Sequence, residues 1–224
     1  MLIELDPTRR MDRIFRILKT RYGLSRHGNL RNIRWELIFI IVSLRTSEQV
    51  YVPVFRAIRR RYDSLESLGR ARISTLRAIL KPAGLSGIRA IQIKQASKRL
   101  ASEWTDYGLK NAARKDPEFV ERYLCTFRGV GLKVAKCVLM YAADLPVLPV
   151  DTHVWRVMTR LGFAAGGRLN DHKASYLEAM VPPRLRYAVH VICLSHGRLI
   201  CKPRPLCAIC PVSHLCPSAM IGEA

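Results

Sequence analysis

Apolar residues recur at three- and four-residue steps along most of the chain, the signature of helices packed on one face. Met11, Ile14, Phe15 and Leu18 mark such a face over residues 11–22, with arginines filling much of the other side. Residues 35–44 are apolar nearly all round, as in a helix buried on every side. Residues 50–62 are amphipathic and end in Arg59-Arg60-Arg61, and residues 67–80 read as two short helical pieces closed by Pro82 and Gly84. Further helices are predicted over 88–104, 117–127, 132–143, 152–161 and 187–196, with Asp151 as the N-cap of the fourth of these. No stretch alternates with the period of a strand, and there is no heptad run or internal repeat. The expected fold class is all-α.

Charge changes what such a bundle is expected to do. The 224 residues are 49% hydrophobic and 25% charged, a composition that supports an ordered core, in one large domain or two small ones. Lys and Arg together number 38 against 17 acids, a formal net charge of +21, and 28 of the 38 are arginine. Like charge on this scale repels itself on a compact body and is retained where it attracts a polyanion. Arginine's planar fork pairs bidentately with phosphate, so nucleic acid is the expected partner. The longest apolar run, residues 37–42, is far short of the ~20 residues of a membrane span. Residues 1–6 lack the apolar stretch of a secretion signal. A cytoplasmic protein, nucleoid-associated in a bacterium and without a membrane partner, is expected.

Disulfides rarely persist in that compartment, so seven cysteines ask for another explanation. Cys201, Cys207, Cys210 and Cys216 follow a C-x5-C-x2-C-x5-C pattern, separated by Pro203, Pro205 and Pro211. Four thiolates on so short a loop can wrap one metal centre, and soft sulfur selects zinc or an iron–sulfur cluster. A structural zinc more often shows two C-x2-C pairs, and only one is present. A cubane 4Fe–4S cluster is therefore favoured, with zinc as the alternative. Cys125, Cys137 and Cys193 lie in apolar helices and read as small buried residues.

A second constellation is Phe127-Arg128-Gly129-Val130-Gly131-Leu132-Lys133, between two predicted helices. Gly129, Val130 and Gly131 would let the backbone N–H groups of the following helix approach a DNA phosphate without reading sequence. A glycine pair alone is also an ordinary helical hairpin. Lys133 in the first turn of that helix, in an apolar setting, has its ammonium disfavoured by desolvation and by the helix dipole. A neutral amine is a nucleophile for Schiff-base chemistry. Asp151, in Pro149-Val150-Asp151-Thr152-His153, is either an N-cap, a stabiliser of a developing sugar cation, or both.

From Leu124 to Gly162 the chain resembles the helix-hairpin-helix and Gly/Pro-Asp segment of the DNA glycosylase superfamily. The run from Pro149 to Val157 matches its PVDTHVxRV stretch, and the cysteine loop, preceded by His196-Gly197-Arg198, resembles the iron–sulfur loop of endonuclease III. Two departures stand out: Arg128 replaces the hairpin's usual proline, and the first cysteine interval is one residue shorter than is typical. The resemblance implies a bifunctional base-excision enzyme, with Lys133 as the lyase lysine and Asp151 as the essential aspartate, acting as a monomer on duplex DNA that carries a damaged or mismatched base. It implies two helical lobes about a DNA-binding cleft that Lys133 and Asp151 face: residues 31–145, and residues 1–30 with 146–200, followed by the cluster loop at 201–216. Lys202 and Arg204 would meet phosphates beside the cluster.

By looser similarity the loops around Arg45 and Leu85 would fill the gap left by an extruded base. Their plainer readings are a solvated arginine and a helix-start leucine. The expected substrates are oxidised pyrimidines. The alternatives are a mismatch-directed thymine or uracil glycosylase with weak lyase activity, and a non-catalytic iron–sulfur DNA-binding protein. With no further domain expected after Cys216, an adenine glycosylase is the less expected relative.

Overall fold

The computed structural model describes residues 6–220; residues 1–5, read above for a secretion signal, and 221–224 lie outside the described residues. Among the described residues the regular structure is thirteen α-helices and three short 3-10 turns, with no strand. The all-α expectation holds. The chain forms two compact units, one from His27 to Leu145, the other joining the segment up to Arg26 with that from Pro146 onward.

Helix α1 (Pro7–Tyr22) opens the second of these units. Asp6 caps it by accepting the Arg9 N–H at 3.1 Å, with Pro7 in the first turn, so it begins four residues before its apolar face. That face is Met11, Ile14, Phe15 and Leu18, all buried.

The unit from His27 to Leu145 is built around α2 (Ile33–Ser43), nine of whose eleven residues are buried. Each fully buried isoleucine, leucine or phenylalanine there contributes roughly 1.5–3 kcal/mol. Asn32 caps α2 through the Trp35 N–H at 2.9 Å. Against it pack α3 (Glu48–Arg61), through edge-on Phe39–Phe55 and Phe39–Tyr51 pairs at 5.0 and 5.3 Å. The short α4 (Leu65–Gly69) and α5 (Ile73–Leu80) lie on α6 (Ser86–Glu103), which also packs on α2. Next come α7 (Asp106–Lys115), whose Asp106 accepts the Ile33 N–H at 2.8 Å, α8 (Pro117–Cys125) and α9 (Leu132–Ala142). Helix α9 lies against α2 and α8 and buries every residue from Val134 onward.

The other unit continues with α10 (Thr152–Arg160), α11 (Asp171–Met180), α12 (Pro183–Leu199) and the one-turn α13 (Pro217–Met220). Helix α12 packs on both α1 and α10, which joins the N-terminal helix to the later helices in one core. Helices α7 and α11 are not marked by the apolar pattern, and α12 starts four residues before the predicted 187. Cys137 and Cys193 are buried as expected. Cys125 corrects that reading: it is exposed, because at the end of α8 it lies off the face that Val120 and Leu124 turn inward. No helix among the described residues is long and apolar enough to cross a membrane.

Candidate active site and cysteine cavity

The hairpin between α8 and α9 is a tight turn. The Val130 N–H donates to the Phe127 carbonyl at 3.0 Å, and Gly129 has φ +79°, left-handed backbone that favours glycine. A Cβ on Gly129 would also run into the Gln92 side-chain amide. Phe127 and Val130 bury their side chains, so Val130 offers a ligand only its backbone. Gly131 begins α9 with no side-chain cap, and nothing lies within 4 Å of where its Cβ would be. The positive end of α9 is thus open at Gly131, a geometry that receives an anion. Lys133 follows in the first turn, half-buried, and the exposed Arg128 adds positive charge to the turn.

Asp151 is the N-cap of α10. Its Oδ1 accepts the His153 and Val154 N–H groups at 2.8 and 2.9 Å. The segment leading to it has no regular structure and is held by side chains from α11 and α12. Arg186 donates to the Pro146 carbonyl at 2.7 Å, Glu178 accepts the Leu148 N–H at 2.8 Å, and His190 Nδ1 donates to the Pro149 carbonyl at 2.8 Å. The Arg186–Glu178 ion pair, at 3.7 Å, braces two of these groups. None of the three was singled out from the sequence, because their partners are backbone atoms more than 29 residues away.

Cys201, Cys207, Cys210 and Cys216 line one cavity of about 70 Å³, walled by Val157, Leu161, Ile200, Leu206 and Val212. Burial pushes the Cys210 and Cys216 thiols up, and the neighbouring cysteines add to the shift. Burial also pushes the His196 imidazole down to about 4. A neutral imidazole has one donor and one acceptor. Tyr22 O–H lies 2.9 Å from Nδ1, leaving Nε2–H to face the Cys210 sulfur at 3.8 Å. Arg160 donates to the Cys201 sulfur at 3.4 Å and to the Lys202 and Pro203 carbonyls at 2.5 and 2.8 Å. Arg156 donates to the Cys201 and Gly197 carbonyls, both at 2.9 Å. Helix α10 thereby fixes the loop that presents Lys202 and Arg204, both exposed. Among the described residues no three His, Cys, Asp or Glu side chains converge as a single metal ion requires.

Arg45 and Leu85 both stand at loop tips, exposed, with φ +53° and +49°. Left-handed backbone costs a non-glycine residue about 1–2 kcal/mol, so both turns are held against local preference.

Residues 38–183 match the profile of the HhH-GPD superfamily base excision DNA repair proteins. The chain belongs to that superfamily. It is 30% identical over 181 residues to Endonuclease III of Rickettsia felis, covering 80% of each chain. It is 28% identical over 169 residues to the Transcriptional activator DEMETER of Arabidopsis thaliana, covering 67% of this chain but only 8% of that much longer protein. Its fold matches that of a trapped endonuclease III–DNA covalent intermediate with a TM-score of 0.81, at 22% identity, over 98% of this chain and 100% of the other. Within the superfamily the chain is an endonuclease III-like base-excision repair glycosylase.

Proposed function

We propose that the chain is a DNA N-glycosylase with AP lyase activity that removes oxidised pyrimidines from duplex DNA through a Schiff base on Lys133. The observation that carries this reading is the place of Lys133, in the first turn of α9, two residues behind the open Gly131 terminus. A phosphate seated on that terminus brings the DNA backbone beside the amine. Neutral Lys133 Nζ attacks C1′; the new C–N bond forms as the bond to the base breaks, and the base leaves with the electron pair and takes up a proton. Asp151 stabilises the positive charge that develops on the sugar. Opening of the sugar ring gives a Schiff base. Loss of a C2′ proton then expels the 3′ phosphate by β-elimination, and water releases the lysine.

The cysteines suit a 4Fe–4S cluster. All four line one apolar-walled cavity, where Arg160 donates to the Cys201 sulfur and His196 faces that of Cys210, surroundings in which cluster sulfurs are held. Cys201, Cys207, Cys210 and Cys216 would hold the cluster, whose role when bound is to organise the loop carrying Lys202 and Arg204. The partner is duplex DNA containing a damaged base, bound by a monomer.

A second reading, a mismatch-directed thymine or uracil glycosylase, is favoured by Arg45. Its exposed donors suit the O6 and N7 acceptors of a guanine left unpaired after G:T or G:U excision. Base release and strand nicking on thymine glycol, G:T and G:U duplexes separate the readings. The proposal expects release and nicking on thymine glycol, nicking lost in Lys133→Gln, and release lost in Asp151→Asn. Nicking that survives Lys133→Gln overturns the lysine's role, and no base release on any duplex leaves a DNA-binding protein without catalysis.

A further inference from the structure

Arg89, in the first turn of α6, is 3% exposed, and all its side-chain hydrogen bonds go to oxygens of two loops. Nη1 donates to the Ala83 carbonyl at 2.6 Å. Nη2 donates to Thr46 Oγ1 at 3.1 Å and to the Leu44 carbonyl. Thr46 Oγ1 is in turn 3.0 Å from the Ala83 carbonyl, so the two loops are also bonded directly to each other. Leu44 and Thr46 flank Arg45 on either side, and Ala83 stands two residues before Leu85. None of the bonds goes to a carboxylate. Burying a guanidinium without an opposite charge is expensive unless its donors are used, and here they are used to join these loops.

The loops so joined carry two of the four non-glycine residues with left-handed backbone among the described residues, Arg45 and Leu85. Strain of this kind persists where the surroundings over-determine it, and it collects where a residue must be presented in one conformation. Both side chains are exposed, and Leu85, at 55%, is among the most exposed large apolar residues described. Their chemistry is complementary: an apolar body that can occupy a vacated place in a base stack, and a fork of donors that can meet the edge of the base left unpaired.

We propose that Arg89 is the positioning residue that holds Arg45 and Leu85 as a preformed, two-pronged wedge for the gap left by the extruded nucleotide. The inference deepens the glycosylase reading and rests on it. Arg89 touches no DNA; by joining the loops before DNA arrives, it removes the cost of ordering them during base extrusion.

The test is Arg89→Met, which keeps the stem and removes every donor, beside Arg89→Lys, which keeps the charge and part of the hydrogen bonding. Two readouts are followed in single turnover: fluorescence of 2-aminopurine placed next to the lesion, which reports unstacking, and cleavage at an abasic site in single-stranded DNA, where no stack is entered. For Arg89→Met, unstacking and base release from duplex fall at least tenfold, while single-strand cleavage stays within twofold of wild type. Arg89→Lys lies between. Hydrogen exchange of residues 44–47 and 83–86 rises at least tenfold in Arg89→Met, with the C-terminal half of α6 unchanged. Unaltered unstacking in Arg89→Met, or an equal loss on single-stranded DNA, overturns the inference while leaving the glycosylase reading intact. Absence of unstacking and base release in the wild type overturns the glycosylase reading itself, and the wedge with it.

Discussion

His190 Nδ1 donates a 2.8 Å hydrogen bond to the carbonyl of Pro149, two residues before Asp151. His190 is 1% exposed, on the helix that also packs on α1 and α10, so the aspartate's approach segment is tied to the core of its unit. A buried carbonyl that loses a hydrogen-bond donor costs about 1–3 kcal/mol. His190→Phe is expected to lower the unfolding free energy by about that amount in urea denaturation, and to slow base release because Asp151 is no longer held in one place. A variant with wild-type stability and rate would show that the bond positions nothing.

The two hairpin glycines should respond oppositely. Gly129→Ala forces a methyl into left-handed backbone and against Gln92, so it is expected to destabilise the protein by about 1–2 kcal/mol. Gly131→Ala meets open space and an extended φ of −101°, and should leave stability within about 0.5 kcal/mol of wild type. Its methyl stands where a phosphate would approach the N–H groups, so affinity for duplex DNA should fall about tenfold. Thermal unfolding and a DNA titration at fixed salt check both.

His153 gives a pH dependence. Its imidazole is held below the ordinary value chiefly by burial, with Arg156 and Arg198 adding to the shift and Asp151 opposing it. Arg156 donates toward Nδ1 at 3.0 Å, which suits the neutral ring. A histidine whose folded value is depressed binds its proton more readily when unfolded. The stability it contributes is therefore fully present above the unfolded value, about 6.5, and is lost as pH falls below it. Unfolding free energy should fall between pH 7 and pH 5, less steeply in His153→Gln. Equal slopes for both proteins would contradict this.

The cysteine cavity predicts its metal content. Protein purified without oxygen should carry about four iron atoms and four sulfides per chain, and Cys210→Ser should lose them. Chelation should weaken binding to duplex DNA, because the loop carrying Lys202 and Arg204 loses its support. One zinc and no iron would show that the void has been misread.

Where helices dock by apolar repeats, as Met11, Ile14, Phe15 and Leu18 do on α1, the pattern alone locates them. Helix α7 buries Leu109 and the small Ala113, and α11 Leu177 and the polar Glu178, so neither buries two large apolar side chains at helical spacing as α8 does with Val120 and Leu124. The candidate site divides in the same way. Cysteine spacing, the glycine pair and Asp151 are local in the chain and legible there. His190, Glu178 and Arg160 act on backbone atoms of distant segments, and Arg89 joins the nearby Ala83 to the distant Leu44; in sequence they are a histidine, a glutamate and two ordinary arginines among 28. Cys125 is exposed because a helix end turns one side outward whatever its neighbours are.

The most direct test of the central claim is borohydride trapping on duplexes carrying thymine glycol, 5-hydroxyuracil, G:T, G:U or a plain abasic site, with the adducted peptide identified by mass spectrometry. The account predicts a covalent protein–DNA adduct on the oxidised pyrimidines, joined at Lys133 and absent in Lys133→Gln. No adduct on any duplex, or an adduct joined at another amine, would contradict it.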